Sequence, residues 1–154
     1  MPANAIMACP LRAKVDPRLL RFSAGATATM LVAALVLMSI VRPLGLFLLI
    51  SQVAVFGFTA FVSFQWSVWA QFFARVIWPR IAAPTSLEDA RPPRFAQGIG
   101  FVVTAAALIT FIIGIDIAGY VLTAVAVGIA ALNAITGLCL GCYVYLLVRR
   151  RKPA

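Results

Sequence analysis

The side chains best suited to chemistry in this sequence are two cysteines placed three residues apart near the C-terminus. Cys139 and Cys142 form a C-x-x-C motif. On a helix this spacing places both thiols near one face, at a Cα separation that permits a disulfide. Such a pair can cycle between dithiol and disulfide, or one cysteine can carry a persulfide, because the thiolate is the reactive form. The motif predicts a thiol-redox or sulfur-relay site.

A third thiol, Cys9, lies in the N-terminal tail. The tail holds about a dozen residues between Cys9 and the first apolar run, and an extended chain covers about 3.3 Å per residue, so Cys9 can reach some 40 Å. We predict that Cys9 docks close to Cys139 and Cys142 as a resolving thiol, which makes these three cysteines the candidate catalytic cluster. The alternative is an incidental thiol in the tail.

The same C-terminal segment also has the composition of a packing surface. Gly137 and Gly141 form G-x-x-x-G, a spacing that lets transmembrane helices approach closely, and cysteine is a small residue that is commonly buried. A lone C-x-x-C is weak evidence of redox chemistry. A non-enzymatic scaffold or subunit, in which the Gly/Cys stripe packs helices, is therefore the alternative function, and a homo-oligomer is one arrangement it permits.

The sequence contains few side chains that could perform other kinds of catalysis. The chain contains no histidine, and its only carboxylates are Asp16, Glu88, Asp89 and Asp116, all outside the apolar cores of the predicted spans. Three cysteines are fewer than the four ligands of a structural zinc site. No metal or cofactor-binding residues are predicted, no cofactor is identified, and the residues leave open whether the chain is an enzyme.

Four long apolar runs dominate the sequence, which is 64% hydrophobic and 11% charged. Runs of 18 or more apolar residues are typical of membrane-spanning helices, since about 20 residues cross the hydrocarbon core. We therefore predict an all-α membrane protein with four transmembrane helices. The predicted segments are a tail (1–21), a transmembrane domain (22–148) with spans at about 22–41, 44–66, 95–115 and 118–142 and a loop at 75–94, and a basic tail (149–154).

The basic residues are divided unequally between the two sides of these spans. Of the 13 lysines and arginines, four lie in the N-terminal tail, four in or beside the middle loop and four in the C-terminal tail, whereas Arg42 alone lies in an outer turn. The rich side is cytoplasmic by the positive-inside rule. The chain is thus predicted to be a multi-pass plasma-membrane protein with both termini in the cytoplasm. Its net charge of +9 indicates contact with membrane lipid rather than nucleic acid.

The two halves of the chain resemble each other. Arg21-Phe22 with Gly25 opens the first run, and Arg94-Phe95 with Gly98 opens the third. The second and fourth uncharged stretches, 43–74 and 117–148, have equal lengths and as single helices would measure about 48 Å, beyond a core of about 30 Å. These features predict a parallel 2+2 internal repeat. The last two or three turns of the second and fourth stretches are expected to tilt, to lie along the interface or to project into the cytoplasm.

Taken together, Cys9-Pro10, Pro93 to Ala96 and the pattern G-x-C-x-G-C-x-x-Y from Gly137 to Tyr145 resemble a family of bacterial, largely actinobacterial, integral membrane proteins classed as a domain of unknown function. The resemblance implies a small multi-helix membrane protein. It also implies a cytoplasmic partner of the thioredoxin-like or sulfurtransferase type, because members of the family lie near such genes. It supplies no established activity.

Overall fold

The computed structural model describes residues 14–64 and 66–151. Within them the chain forms six α-helices, one π-helical turn, one 3-10 turn and two short paired strands. In chain order these are β1 (Lys14–Val15), α1 (Pro17–Ile40), α2 (Arg42–Phe61), α3 (Val68–Phe72), the π turn (Phe73–Ile77), the 3-10 turn (Trp78–Arg80), β2 (Glu88–Asp89), α4 (Arg91–Ile112), α5 (Asp116–Thr136) and α6 (Leu140–Arg150).

Four of these helices, α1, α2, α4 and α5, are long and apolar enough to cross a membrane. The predicted all-α membrane fold is therefore confirmed. The helix limits differ from the predicted spans because local capping sets them. At the start of α1, Asp16 accepts a hydrogen bond from the Arg18 N–H at 2.8 Å and Pro17 occupies the first turn. This helix thus begins five residues before the first apolar run.

The four long helices form a ring in which each contacts two neighbours. Helix α1 packs against α2 and α5, and α4 packs against the same two helices. We call the end at which α1 and α4 begin, and α2 and α5 end, the basic end. The opposite end is the turn end, where Arg42 forms an ion pair with Asp116 at 2.9 Å and also donates to the Phe111 carbonyl.

A compact apolar cluster fills the ring toward the turn end, with Leu31, Ala34, Leu49 and Phe111 almost completely buried. Nearer the basic end the interior becomes polar. The Gln52 amide donates to the Thr27 hydroxyl at 3.3 Å, and both residues are buried. A polar pair of this kind holds two helices together without a charged group inside the bundle.

Contacts in one half recur in the other, as the predicted repeat requires. Arg21 at the start of α1 bonds the carbonyls of Ala134 and Ile135 at the end of α5, whereas Arg94 at the start of α4 bonds the Ala60 carbonyl at the end of α2. The equivalent buried positions of α1 and α4, each 73 residues apart, are Leu31 and Thr104, Ala34 and Ala107, and Met38 and Phe111.

The two short strands also connect the two halves of the chain at the basic end. Lys14 pairs with Asp89 and Val15 pairs with Glu88 in antiparallel register. A two-fold axis between the halves would produce both this pairing and the reciprocal arginine contacts. These observations support the predicted 2+2 repeat.

Candidate functional site

The cysteine pair lies at the start of α6, directly after a break that separates this helix from α5. Helix α5 ends at Thr136, and Gly137 follows in the left-handed region with φ of 74° while its N–H bonds the Asn133 carbonyl at 2.9 Å. Glycine adopts this conformation without a Cβ clash, which is why it commonly terminates helices. The fourth predicted span, to about residue 142, therefore passes beyond the end of α5, and the expectation that one helix carries both cysteines is corrected.

Cys139 is the N-cap of α6. Its backbone is extended, with φ of −88° and ψ of 100°, and its Sγ accepts a hydrogen bond from the Cys142 N–H at 3.3 Å. The two residues form a disulfide with Cα atoms 5.1 Å apart, within the usual range for such bonds. The pair is thus placed at a helix N-terminus, where free N–H groups and the helix dipole favour a negative charge.

Gly141, between the two cysteines, sets the position of α6. A Cβ atom added to Gly141 would lie 2.5 Å from the Cβ and 2.7 Å from the Cα of Ala96 in α4. One turn further along, the rings of Tyr145 and Phe95 lie 5.6 Å apart. Helix α6 therefore packs directly on the first turns of α4, and this contact leaves no room for a side chain at Gly141.

Arg21 fixes the other side of the break. Its guanidinium donates to the Ala134 carbonyl at 3.2 Å and to the Ile135 carbonyl at 2.8 Å. These carbonyls are among those that lack partners at the end of a helix. The Cδ of Arg21 also lies 3.7 Å from where a Cβ on Gly137 would be. One arginine side chain thus anchors the turn that connects the end of α5 to Cys139.

The two predicted glycines have separate roles. Gly137 permits the turn, whereas Gly141 permits the contact with α4, so they do not form one stripe along a single helix. The signal that could have revealed the break was Gly137 itself, because a glycine commonly follows the last residue of a helix.

Both paired cysteines are only partly buried, so their sulfur atoms lie near the surface of the basic end. Cys9 falls outside the described residues, and its predicted docking beside the pair remains a prediction. Among the described residues no group of three or more histidine, cysteine, aspartate or glutamate side chains is arranged to hold a metal ion.

The first half of the chain contains a similar cap without a thiol. After α2 ends at Phe61, Ser67 caps α3, and its hydroxyl accepts from the Ala70 N–H at 3.2 Å. Ser67 is buried, with 3% of its surface exposed, whereas Cys139 is partly accessible. Each half therefore follows its second long helix with a capped helix, but only the second half places cysteine at the cap.

Comparison with known proteins gives one family. A family model described as a domain of unknown function, DUF4395, matches residues 15–150. No curated protein and no solved structure matches the chain.

Proposed function

The chain belongs to the DUF4395 family, whose description assigns no activity, and we propose from the site itself that it is a membrane-bound thiol–disulfide exchange protein. The observation that carries this proposal is the position of the pair. Cys139 caps α6 and accepts the Cys142 N–H, and the two cysteines are within bonding geometry of each other. A helix N-terminus is the environment in which a cysteine becomes a reactive thiolate.

Cys139 is the attacking residue in this proposal. In the dithiol form its thiolate attacks one sulfur of a disulfide in the partner, and a mixed disulfide forms as the partner's other sulfur leaves and takes up a proton. Cys142, after losing its proton, then attacks Cys139 Sγ and releases the second partner thiol. Two electrons pass to the partner, the Cys139–Cys142 disulfide forms, and the reverse sequence reduces it.

The choice of residue at the cap also supports redox chemistry. Serine, threonine, aspartate and asparagine are the preferred N-caps, and the first half uses Ser67 in that way. A sulfur atom is a weak acceptor by comparison. A cysteine that served only as a cap would be a poor choice, so the thiol of Cys139 has a purpose that the hydroxyl of Ser67 does not have.

We place this pair on the cytoplasmic side of the plasma membrane and propose a thioredoxin-like protein as its partner. The division of basic residues supports that orientation, since the positive-inside rule assigns the basic end to the cytoplasm. The cytosol keeps thiols reduced, so the disulfide would be a turnover state. Reporter fusions at residue 90 and after residue 151 test the orientation, which is wrong if either reports an external position.

The direct test compares two single-cysteine variants in detergent, each also carrying Cys9→Ser. Cys142→Ser leaves Cys139, and Cys139→Ser leaves Cys142. With glutathione disulfide as the probe, Cys139 should be glutathionylated at least about tenfold faster, because the helix terminus favours its thiolate. Equal rates, or a faster Cys142, would contradict the assignment of Cys139.

A thioredoxin that lacks its resolving cysteine tests the partner. Added in reduced form to the oxidised wild-type protein, its remaining thiolate should attack Cys139 Sγ, form a mixed disulfide and release Cys142 as a thiolate. Rapid alkylation of Cys142 with N-ethylmaleimide should capture this mixed disulfide before Cys142 attacks it and releases the thioredoxin. Cys9→Ser should give the same yield of captured mixed disulfide, because in this proposal Cys142, and not Cys9, is the thiol that resolves it. If Cys9→Ser instead alters the trapping, the predicted role of Cys9 is supported.

The close contact of Gly141 with Ala96 favours the second candidate, a non-enzymatic scaffold or subunit. A scaffold needs the glycine but not the sulfur atoms. If the chain is a scaffold, replacing both paired cysteines by serine should leave its assembly with other subunits unchanged. If the chain is an exchange protein, the same replacement should abolish thiol–disulfide exchange. A sulfurtransferase partner would instead require a persulfide on one cysteine, which mass spectrometry detects as an added sulfur atom.

A further inference from the structure

An open groove of about 320 Å³ runs along the outward side of α6, beyond the cysteine pair. It is lined by Tyr143, Leu146, Leu147, Arg149 and Arg150. Its apolar walls are exposed, with 63% of Tyr143 and 51% of Leu146 accessible. The groove thus combines an apolar wall with two cationic groups at the C-terminal end of the helix.

The arginines of the groove differ from other arginines of the chain in their contacts with described residues. Within residues 14–64 and 66–151, the guanidinium groups of Arg149 and Arg150 form no hydrogen bond or ion pair. By contrast, Arg21 and Arg94 bond helix carbonyls, and Arg42 is paired with Asp116. No acidic residue occurs in α6. Both cations are therefore available to an external anion.

The position of α6 indicates where such an anion would be. Gly141 packs on Ala96 in the second turn of α4, and α4 is one of the four candidate spans. A helix held there lies at the level where a span leaves the hydrocarbon core. An amphipathic helix with an apolar face and basic residues at this level typically lies in the interface and contacts lipid headgroups.

We propose that this groove binds an anionic phospholipid. Arg149 and Arg150 bind the phosphate, since guanidinium groups form charge-assisted hydrogen bonds with phosphate oxygens. The acyl chain lies against Tyr143, Leu146 and Leu147. This site does not depend on redox activity at the cysteines, and it holds the same helix that carries Cys142.

Lipid titration of the full-length protein in detergent, followed by native mass spectrometry, tests the site. Dioleoyl phosphatidylglycerol should bind more tightly than dioleoyl phosphatidylcholine. The double variant Arg149→Gln/Arg150→Gln should weaken phosphatidylglycerol binding about 10- to 30-fold, the effect expected for two basic residues at a lipid surface.

The matched control is Arg75→Gln/Arg91→Gln. It removes two exposed arginines that do not line the groove, and binding should change less than about threefold, because in this proposal neither side chain bonds the phosphate. Equal losses in both double variants, or equal affinity for the two lipids, would overturn the proposal. Leu146→Ser should also weaken binding, and no effect there would contradict the acyl contact.

Two competitors distinguish the other occupants. Glycerol 3-phosphate should not displace the lipid at equal concentration, because it lacks an acyl chain. Displacement by hexaglutamate would identify a surface for an acidic protein, and lipid-sensitive dimers that vanish in Leu146→Ser would identify a second copy. Either outcome would overturn a phospholipid site.

Discussion

In both halves of the molecule a capped helix follows the second long helix at the basic end, but the two caps use different atoms. In the first half Ser67 caps the five-residue helix α3 and is buried. In the second half Cys139 caps the eleven-residue helix α6, is partly exposed and is bridged to Cys142. The repeated element is structural, since a helix that follows a break needs an acceptor for its first N–H groups. The thiol pair is the feature that the second half adds.

This comparison separates two demands that coincide at Cys139. A cap requires an acceptor atom at the helix start, which oxygen provides better than sulfur. Exchange requires an accessible sulfur and a second thiol within bonding distance. The first half meets only the first demand, and the second half meets both. Substitutions that convert one half toward the other should therefore separate stability from reactivity.

The largest effect is expected for Cys139→Ser, which gives the second half the cap atom of the first. Exchange with glutathione disulfide through the pair should be lost entirely, because Cys142 then has no partner thiol among the described residues. Measured under reducing conditions, where the wild type has no bridge, the unfolding free energy should stay within about 1 kcal/mol, since the hydroxyl can accept the same N–H. A large loss of stability would show that the sulfur is mainly structural.

Gly141→Ala should have the next largest effect. The added methyl group meets the backbone of Ala96, so α6 must move away from α4 at a cost of about 1–3 kcal/mol. Gly98→Ala is the matched control on α4, where nothing lies within 4 Å of the added atom, and it should be neutral or stabilising by up to about 1 kcal/mol. Unfolding in detergent measures both. Equal behaviour of the two variants would contradict the packing of α6 on α4.

Gly137→Ala and Gly114→Ala compare the turn after α5 at the basic end with the turn between α4 and α5 at the turn end. Gly137 and Gly114 have φ values of 74° and 85°, and alanine in that region should cost each turn about 1–2 kcal/mol. Only Gly137→Ala should also change the rate at which Cys139 is alkylated, because Gly137 lies two residues before Cys139 whereas Gly114 lies at the opposite end of α5. A similar change in Gly114→Ala would indicate a general loss of structure.

Arg21→Gln and Arg94→Gln should have the smallest effects. Each removes the contact of one half with the end of a helix in the other, and for partly exposed hydrogen bonds a loss of about 0.5–1.5 kcal/mol is expected. Alkylation of Cys139 should respond to Arg21→Gln alone. The reciprocal contacts predict similar losses of stability in the two variants. A difference above about 2 kcal/mol between these losses would be evidence against the internal repeat.

Much of this architecture could be predicted from the sequence. Uncharged runs identify the four long helices, because a spanning helix needs about 20 apolar residues. The paired openings at Arg21 and Arg94 indicate the repeat that the reciprocal contacts support. These features depend on composition and spacing, which a sequence displays directly.

The break at the cysteine pair could not be predicted in the same way. The uncharged stretch runs without interruption from 117 to 148, so hydrophobicity alone favours one long helix. Gly137 has the left-handed conformation that ends α5, and Gly141 fits against Ala96, yet in sequence the two read as one G-x-x-x-G motif. Whether a glycine serves a turn or a contact depends on tertiary neighbours that the motif does not contain.

The measurement that tests the central claim most directly is a redox titration of the full-length protein carrying Cys9→Ser. The protein is equilibrated in dithiothreitol or glutathione buffers, its free thiols are alkylated, and the modified cysteines are counted by mass spectrometry. Our account predicts one reversible two-electron transition in which Cys139 and Cys142 are protected together, with a midpoint within the range of about −120 to −270 mV that exchange proteins span. Thiols that never become protected under oxidant, or a bridge that no reductant opens in the folded protein, would contradict it.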